Sequence, residues 1–314
     1  MPATATRAAF GKALAAIGAK CPNVVALDAD LAKSTKSELF AAQFPERFFE
    51  MGIAEANMVA TAAGLALAGK IPFACSFACF LTGQFAEIRI SVAYSEAPVR
   101  LVGTHAGVAI GEDGHSQMGL EDIALMRTLP GMTVLQPADD IETTQMVEHL
   151  ATHTDGPAYL RLTRQNVERV HADDYRWVPG RLDTLRDGGD VAIIASGGPV
   201  KAALDAAEAL ASEDVSARVV NCHTIKPLDA DALERIARKC GRIVTVEDHT
   251  VIGGLGGAVC EALADRFPVP VRRLGIQDVF GESGSPSDLI AKHGLDAEGI
   301  AQSIRAFMKA TSAV

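Results

Sequence analysis

Apolar runs of strand length recur along this chain, and segments with helical spacing separate them. In the first half the runs fall at 24–30, 48–53, 71–77, 99–104, 132–136 and 158–163. Helical patterns occupy 4–20, 55–69, 81–95, 120–128 and 139–152. The runs are continuously apolar rather than alternating, as expected of strands buried on both faces of a parallel sheet. Polar loops at 32–38 and 105–118 follow two of them. Around 169–189 the composition turns polar, with the lone Trp177, a Pro-Gly and an Asp-Gly-Gly, and this stretch reads as a linker. A second series follows, with strands at 191–196, 217–222, 242–247 and 271–276. Its helices lie at 200–211 and 229–240, one opens near Gly256, and two close the chain. The pattern predicts an α/β chain of two domains, 1–168 and 190–314, each a mostly parallel sheet flanked by helices. No internal repeat is visible.

The stretch 48–69, FFEMGIAEANMVATAAGLALAG, is built almost wholly from Ala, Gly, Leu, Val and Met after Glu55. Small apolar residues on every face predict a helix that neighbours approach from all sides. Glu55, the only carboxylate between Glu50 and Glu87, sits where strand becomes helix. It could complement the helix dipole at a solvated terminus. The sharper alternative is a desolvated carboxyl with a raised pKa, able to hold and pass a proton.

Composition narrows the field. A chain of 314 residues, 48% hydrophobic, can bury two cores. Its net charge of −10, with no dense Lys/Arg stripe, argues against nucleic acid or an anionic membrane as partner. Six cysteines form no CxxC pair, and free thiols in a reducing cytoplasm are expected. The N-terminus lacks a secretory apolar core, and Lys70 and Pro72 break the longest apolar stretch before it could span a bilayer. A cytoplasmic protein is predicted.

Three features invite chemistry. Gly253–Gly257 lies before a helix, but its glycines are bunched, not spaced as GxGxxG, so a tight structural turn is expected rather than a dinucleotide site. His149 and His153 are four apart on a helix with no third ligand, which reads as a solvated face. The loop Gly111–Gln117, GEDGHSQ, follows a strand of a parallel sheet, where ligands bind. It could also be an ordinary polar turn.

Taken together, MGIAEANMVATAAGLALAG, ACSFACF, THAGVAIGEDGHSQMGLEDIALMRTLPGMTVLQPAD, LRLTRQN, TIKPLD and GRIVTVEDH resemble the C-terminal half of transketolase, in order and across essentially the whole chain. The resemblance implies a pyrimidine-binding domain followed by the small C-terminal domain, with thiamine diphosphate as cofactor. Glu55 would then hydrogen-bond N1′ of the aminopyrimidine and share a proton with it. Phe77 and Phe80 would line and stack on that ring, and Asp30 would lie close to the cofactor. The reaction implied moves a two-carbon unit from a ketose to an aldose.

The same resemblance assigns His105, Asp113 and Gln117 to sugar hydroxyls and the reacting carbonyl. Gln117 stands where many relatives carry His and animal-type enzymes carry Gln. Arg7, Ser34, His105 and Arg164 would hold a terminal phosphate. Gly83 replaces an aromatic of the pyrimidine pocket, and no GDG followed by Asn is present to hold magnesium and diphosphate. The resemblance therefore points to the second subunit of a split transketolase. It would be active only with a separate chain bearing the Mg²⁺ ligands, with two copies of each. The alternatives are the β chain of a thiamine-dependent 2-oxo-acid dehydrogenase, a deoxyxylulose-phosphate synthase piece, a non-catalytic regulatory subunit or, remotely, an NAD-binding protein.

Overall fold

In the computed structural model, which describes residues 3–311, the six apolar runs of the first half become six parallel strands. These are β1 (Val24–Asp28), β2 (Phe48–Glu50), β3 (Ile71–Phe77), β4 (Arg100–Thr104), β5 (Thr133–Leu135) and β6 (Ala158–Arg161). They lie side by side in the order β5-β6-β4-β3-β1-β2. Successive side chains leave a strand on opposite faces, so each run feeds two cores. Val24, Ala26, Phe73, Val102 and Leu160 pack on one face with Phe10 and Leu14 of α1 (Thr6–Lys20). Val25, Leu27, Ala74, Leu101 and Tyr159 pack on the other with Met58, Val59 and Ala62 of α2 (Glu55–Leu67).

The second series forms its own five-stranded sheet from β7 (Asp183–Arg186), β8 (Val191–Ala195), β9 (Ala217–Asn221), β11 (Ile243–Thr250) and β12 (Val271–Ile276), in the order β12-β11-β8-β9-β7. Its core of Val191, Ile193, Val219 and Val244 packs against Val200 and Ala203 of one helix and Ile300 and Ile304 of another. The strand β10 (Thr224–Lys226) leaves this unit and pairs antiparallel with β5, completing the first sheet to seven strands.

Four local features differ from the sequence reading. Strand β7 falls inside the stretch read as linker and is the antiparallel edge of the second sheet. Its burial is partial, so it leaves no apolar run to read. The three-residue β10 is likewise too short to announce itself. The helix expected at 81–95 is broken into Ala78–Thr82, Phe85–Glu87 and a wider π-helical segment, Ile88–Tyr94, with glycine at the first break. Finally, α2 is not covered on every side. Asn57, Ala60, Gly64 and Leu67 form one exposed stripe, and Ile53 just before it is 83% exposed.

All six cysteines are free, and three of them are buried. His149 and His153 stack on each other at 3.9 Å near a helix end. Among the described residues no group of three or more His, Cys, Asp or Glu side chains could hold a metal, and no helix is long and apolar enough to cross a membrane.

Candidate active site

Every loop that carries a candidate residue leaves the carboxyl end of a parallel strand, where the helices that follow leave an open crevice. The strand order places β6 with Arg164 first, then β4 with His105, Asp113 and Gln117, then β3 with Phe77 and Phe80. β1 with Asp30 and Ser34 comes next, and β2 with Glu55 last. Arg7 joins them from the first turn of α1. At a spacing of about 4.8 Å per strand, the row from β6 to β2 covers roughly 19 Å.

The middle of this row is tightly built. The rings of Phe77 and Phe80 stack with centroids 5.4 Å apart and planes at 6°, and His105 also stacks on Phe77, at 3.8 Å. His105 is 3% exposed, with a left-handed backbone at φ 57°. Its hydrogen bonds define its tautomer. Arg7 Nη1, which can only donate, lies 3.3 Å from His105 Nε2, so Nε2 accepts. Nδ1 then carries the proton and donates to Thr104 Oγ1 at 2.9 Å, and that hydroxyl donates to the Ser76 carbonyl. Burial, then the charges of Arg7 and Arg164, push the imidazole pKa down to about 3.

Arg7 Nη1 also donates to the Ser34 carbonyl at 2.5 Å. Burial, then Arg164, lower the pKa of Arg7, and its buried Nε finds no partner among the described residues. Arg164 donates to the Ile110 carbonyl and pairs with Asp113 at 3.0 Å. The sequence-derived group Arg7, Ser34, His105, Asp113 and Arg164 is thus one connected cluster. Two guanidiniums crowd a neutral histidine, an arrangement suited to an anion.

The remaining candidates stand apart from that cluster. Gln117 lies in a one-turn helix, and its carbonyl accepts from Cys79 Sγ at 3.3 Å beside the Phe77–Phe80 stack. Asp30 is exposed, on a left-handed backbone at φ 63°. Glu55 is half-buried at the start of α2, at the far end of the row. Its carboxylate has no hydrogen bond or salt bridge among the described residues.

One buried acid beside the site escaped the sequence reading. Asp28, two residues before Asp30, is fully buried and accepts from Leu31 N, Thr35 Oγ1 and Ser37 Oγ at 2.7–2.8 Å. It thereby pins the loop that carries Ser34. Burial raises its pKa to about 6 against the pull of those three donors. The signal available was a second acid inside a strand run, which a buried sheet tolerates only with partners.

The Gly253–Gly257 turn is a structural one, and its place for an anion is already filled. The buried carboxylate of Glu247 accepts from Leu255 N at 2.6 Å and Gly256 N at 2.8 Å, at the opening of the helix Leu255–Ala264.

A thiamine cofactor meets a partial fit. The parallel aromatic pair and the half-open Glu55 suit an aminopyrimidine. Among the described residues no acidic cluster suits a metal–diphosphate.

The profile of the transketolase pyrimidine-binding domain matches residues 3–169, and that of the transketolase C-terminal domain matches residues 180–300. A Methanocaldococcus jannaschii protein described as a transketolase C-terminal section is 45% identical over 307 residues, 96% of each chain. A 6-deoxy-6-sulfo-D-fructose transketolase subunit from a Clostridium species is 43% identical, over 90% of this chain and 87% of that one. A solved structure titled as a split-gene transketolase, an inactive β4 tetramer, superposes with a TM-score of 0.90 and 46% identity, over 98% of this chain and 99% of that one. Two family profiles in sequence, relatives of matching length and a matching fold leave one assignment: this chain belongs to the transketolase family.

Proposed function

We propose that this chain is the second subunit of a split transketolase, moving a two-carbon ketol unit from a ketose to an aldose at a site shared with a partner chain. On this reading it divides near 169–189 into a pyrimidine-binding and a C-terminal domain. The observation that carries the proposal is the cluster of Arg7, His105 and Arg164 beside the Phe77–Phe80 stack. An anion binder and an aromatic platform meet there at the carboxyl edge of one sheet. When bound, thiamine diphosphate supplies the nucleophilic thiazolium carbon that carries the transferred unit.

Each residue of this chain then has a task. Phe77 and Phe80 stack against the aminopyrimidine and exclude water from it. Glu55 holds a proton at N1′, and Asp30 lies toward the same group. Neutral His105 offers Nε2 as acceptor to a sugar hydroxyl, and Gln117 and Asp113 take neighbouring hydroxyls and the carbonyl. Arg7, Arg164 and Ser34 hold the terminal anion of the sugar. Binding draws Arg164 from Asp113 to that anion, which frees the Asp113 carboxylate for a hydroxyl. Mg²⁺ and the diphosphate are held by the partner, and two copies of each chain complete the cytoplasmic enzyme. The relative described as a split-gene transketolase in an inactive β4 form supports dependence on a partner.

A second reading of the substrate rests on the relative named for 6-deoxy-6-sulfo-D-fructose. A sulfonate would meet the same two guanidiniums as a phosphate. One experiment addresses both readings. Ketol transfer is assayed with thiamine diphosphate and Mg²⁺, for this chain alone and with its complementary chain, on phosphorylated, sulfonated and free ketoses. Turnover requires both chains, and kcat/KM is highest for the phosphorylated ketose. Turnover by this chain alone overturns the split enzyme, and a preference for the free sugar overturns the anion site.

A further inference from the structure

The second domain contributes none of the side chains assigned above to cofactor or sugar, yet it grips the loop that carries three of them. The loop runs from His105 to Gly119, and its two ends are joined where Gly107 N donates to the Gly119 carbonyl at 2.9 Å. At this root, the carboxylate of Asp248, from the end of β11, accepts from Val108 N at 2.8 Å and Ala109 N at 3.4 Å. Asp248 is 3% exposed, so those donors are its replacement for water. The approach is so close that a Cβ at position 107, where φ is +88°, would overlap the Asp248 carboxylate. Behind it Arg161 Nη2 donates to both the Gly119 and the Asp248 carbonyls, fastening the loop's end and the strand's end to one guanidinium.

The tip is held separately. Gly281 N donates to His115 Nδ1 at 3.1 Å, and the Phe280 ring lies 4.5 Å from the His115 ring. A Cβ at Gly114, on a left-handed backbone, would stand 2.6 Å from Ser283 Oγ. The glycines of GEDG therefore let the second domain lie directly on the loop backbone, on either side of Asp113.

We propose that the C-terminal domain is a positioning clamp for the sugar-binding loop. Asp248 holds its root and the 280–283 segment its tip, so that His105, Asp113 and Gln117 are fixed before the ketose arrives. Pre-organisation of this kind lowers the ordering cost of substrate binding and leaves the chemistry at the cofactor alone. Asp248 and His115 are thus positioning residues. The inference rests on the reading of the 105–119 loop as the one that takes the sugar.

The test uses the reconstituted two-chain holoenzyme with Asp248→Asn, His115→Ala and His115→Asn. Hydrogen exchange of the amides at 106–119 is measured in each, together with ketose KM and deuterium exchange at the cofactor's thiazolium carbon. Loss of one hydrogen bond to a charged group corresponds to roughly tenfold or more. Asp248→Asn therefore speeds loop exchange and raises KM by about that factor, and the thiazolium exchange, which depends on Glu55 on another element, is unmoved. His115→Ala does the same at the tip. His115→Asn, whose Oδ1 can accept from Gly281 N, restores much of the loss. Unchanged loop exchange in both Asp248→Asn and His115→Ala overturns the clamp, and so does thiazolium exchange that falls in step with KM, which marks a general loss of structure. Faster loop exchange with an unmoved KM overturns instead the assignment of this loop to the sugar. Because the exchange is read on the loop itself, the two failures are distinct.

Discussion

His105 is neutral throughout the range in which the enzyme would work, because its pKa lies at about 3. It can act only as an acceptor through Nε2 and a donor through Nδ1, and it adds no titration to the pH profile of kcat/KM above about pH 4. A limb near pH 6.5 that disappears in His105→Asn would contradict this. On the proposed reading, Glu55→Gln keeps the shape but loses the proton that Glu55 would hold at N1′, so thiazolium exchange should slow by roughly 10²-fold or more. Unchanged exchange would return Glu55 to the role of a helix-dipole partner. For Arg164→Ala, KM of a phosphorylated ketose should rise by about ten- to a hundredfold, and that of the free sugar far less. Equal losses for the two sugars would remove the anion from the argument. At this scale the motifs named Arg7, His105 and Arg164, and the fold brings these three side chains close to one another. The sequence was silent about Asp28, because what makes that acid important is the set of donors the fold brings to it, Thr35 and Ser37 among them.

Between residues and the whole lies the clasp that seats the connecting segment. Buried His171 donates from Nδ1 to Asp139 at 2.9 Å, faces Asp183 of β7 at 3.6 Å and Glu142 at 4.0 Å, and stacks on Tyr175 at 3.8 Å. Burial alone would lower its pKa, but the hydrogen bonds of Asp139 and Asp183 and the charge of Glu142 lift it to about 9. A histidine raised above its unfolded value near 6.5 contributes its stability fully below that pH, and loses it as pH rises through about 9. Buried Glu142, its pKa raised to about 7 by desolvation, acts in the same direction between roughly pH 4.5 and 7. The melting temperature should therefore fall between pH 6.5 and 9, and His171→Gln should flatten that slope. An identical slope in the variant would remove the clasp from the account. Elements with long periodic or apolar runs were legible, β1, β3 and β4 above all. Those set by tertiary pairing were not. Strands β7 and β10 are short and polar, and the open stripe of α2 reads as buried because apolar composition does not record which face of a helix stays exposed.

For the molecule as a whole, two sheets are locked together around one ion pair. Asp122, fully buried, accepts from Arg161 at 2.7 Å and from Tyr159 at 2.7 Å, and faces His249 of the second domain at 3.9 Å. Burial would raise the Asp122 pKa, but Arg161 and then His249 hold it below its usual value. Asp122→Asn leaves a buried guanidinium without its counter-charge, at a cost of about 3–5 kcal/mol. Urea unfolding followed through Trp177 should show a correspondingly lower midpoint, and a midpoint unchanged from wild type would mean that the pair is not a keystone. No sequence pattern announces such a pair, since an Asp in the first turn of a helix and an Arg at a strand end look like solvated charges until the second domain closes over them. The strand β10 carries a consequence for the order in which the chain takes shape on the ribosome. Thr224–Lys226 supplies the partner along one edge of β5, and Lys226 Nζ reaches the carbonyls of Arg127 and Leu129. Until residue 226 has emerged, the nascent first sheet presents an unpaired row of backbone donors and acceptors, a surface on which strands of other chains can add. A gene cut at the composition break near 169 would release that same edge permanently, so the point where the polypeptide looks divisible is not the point where its first sheet is finished.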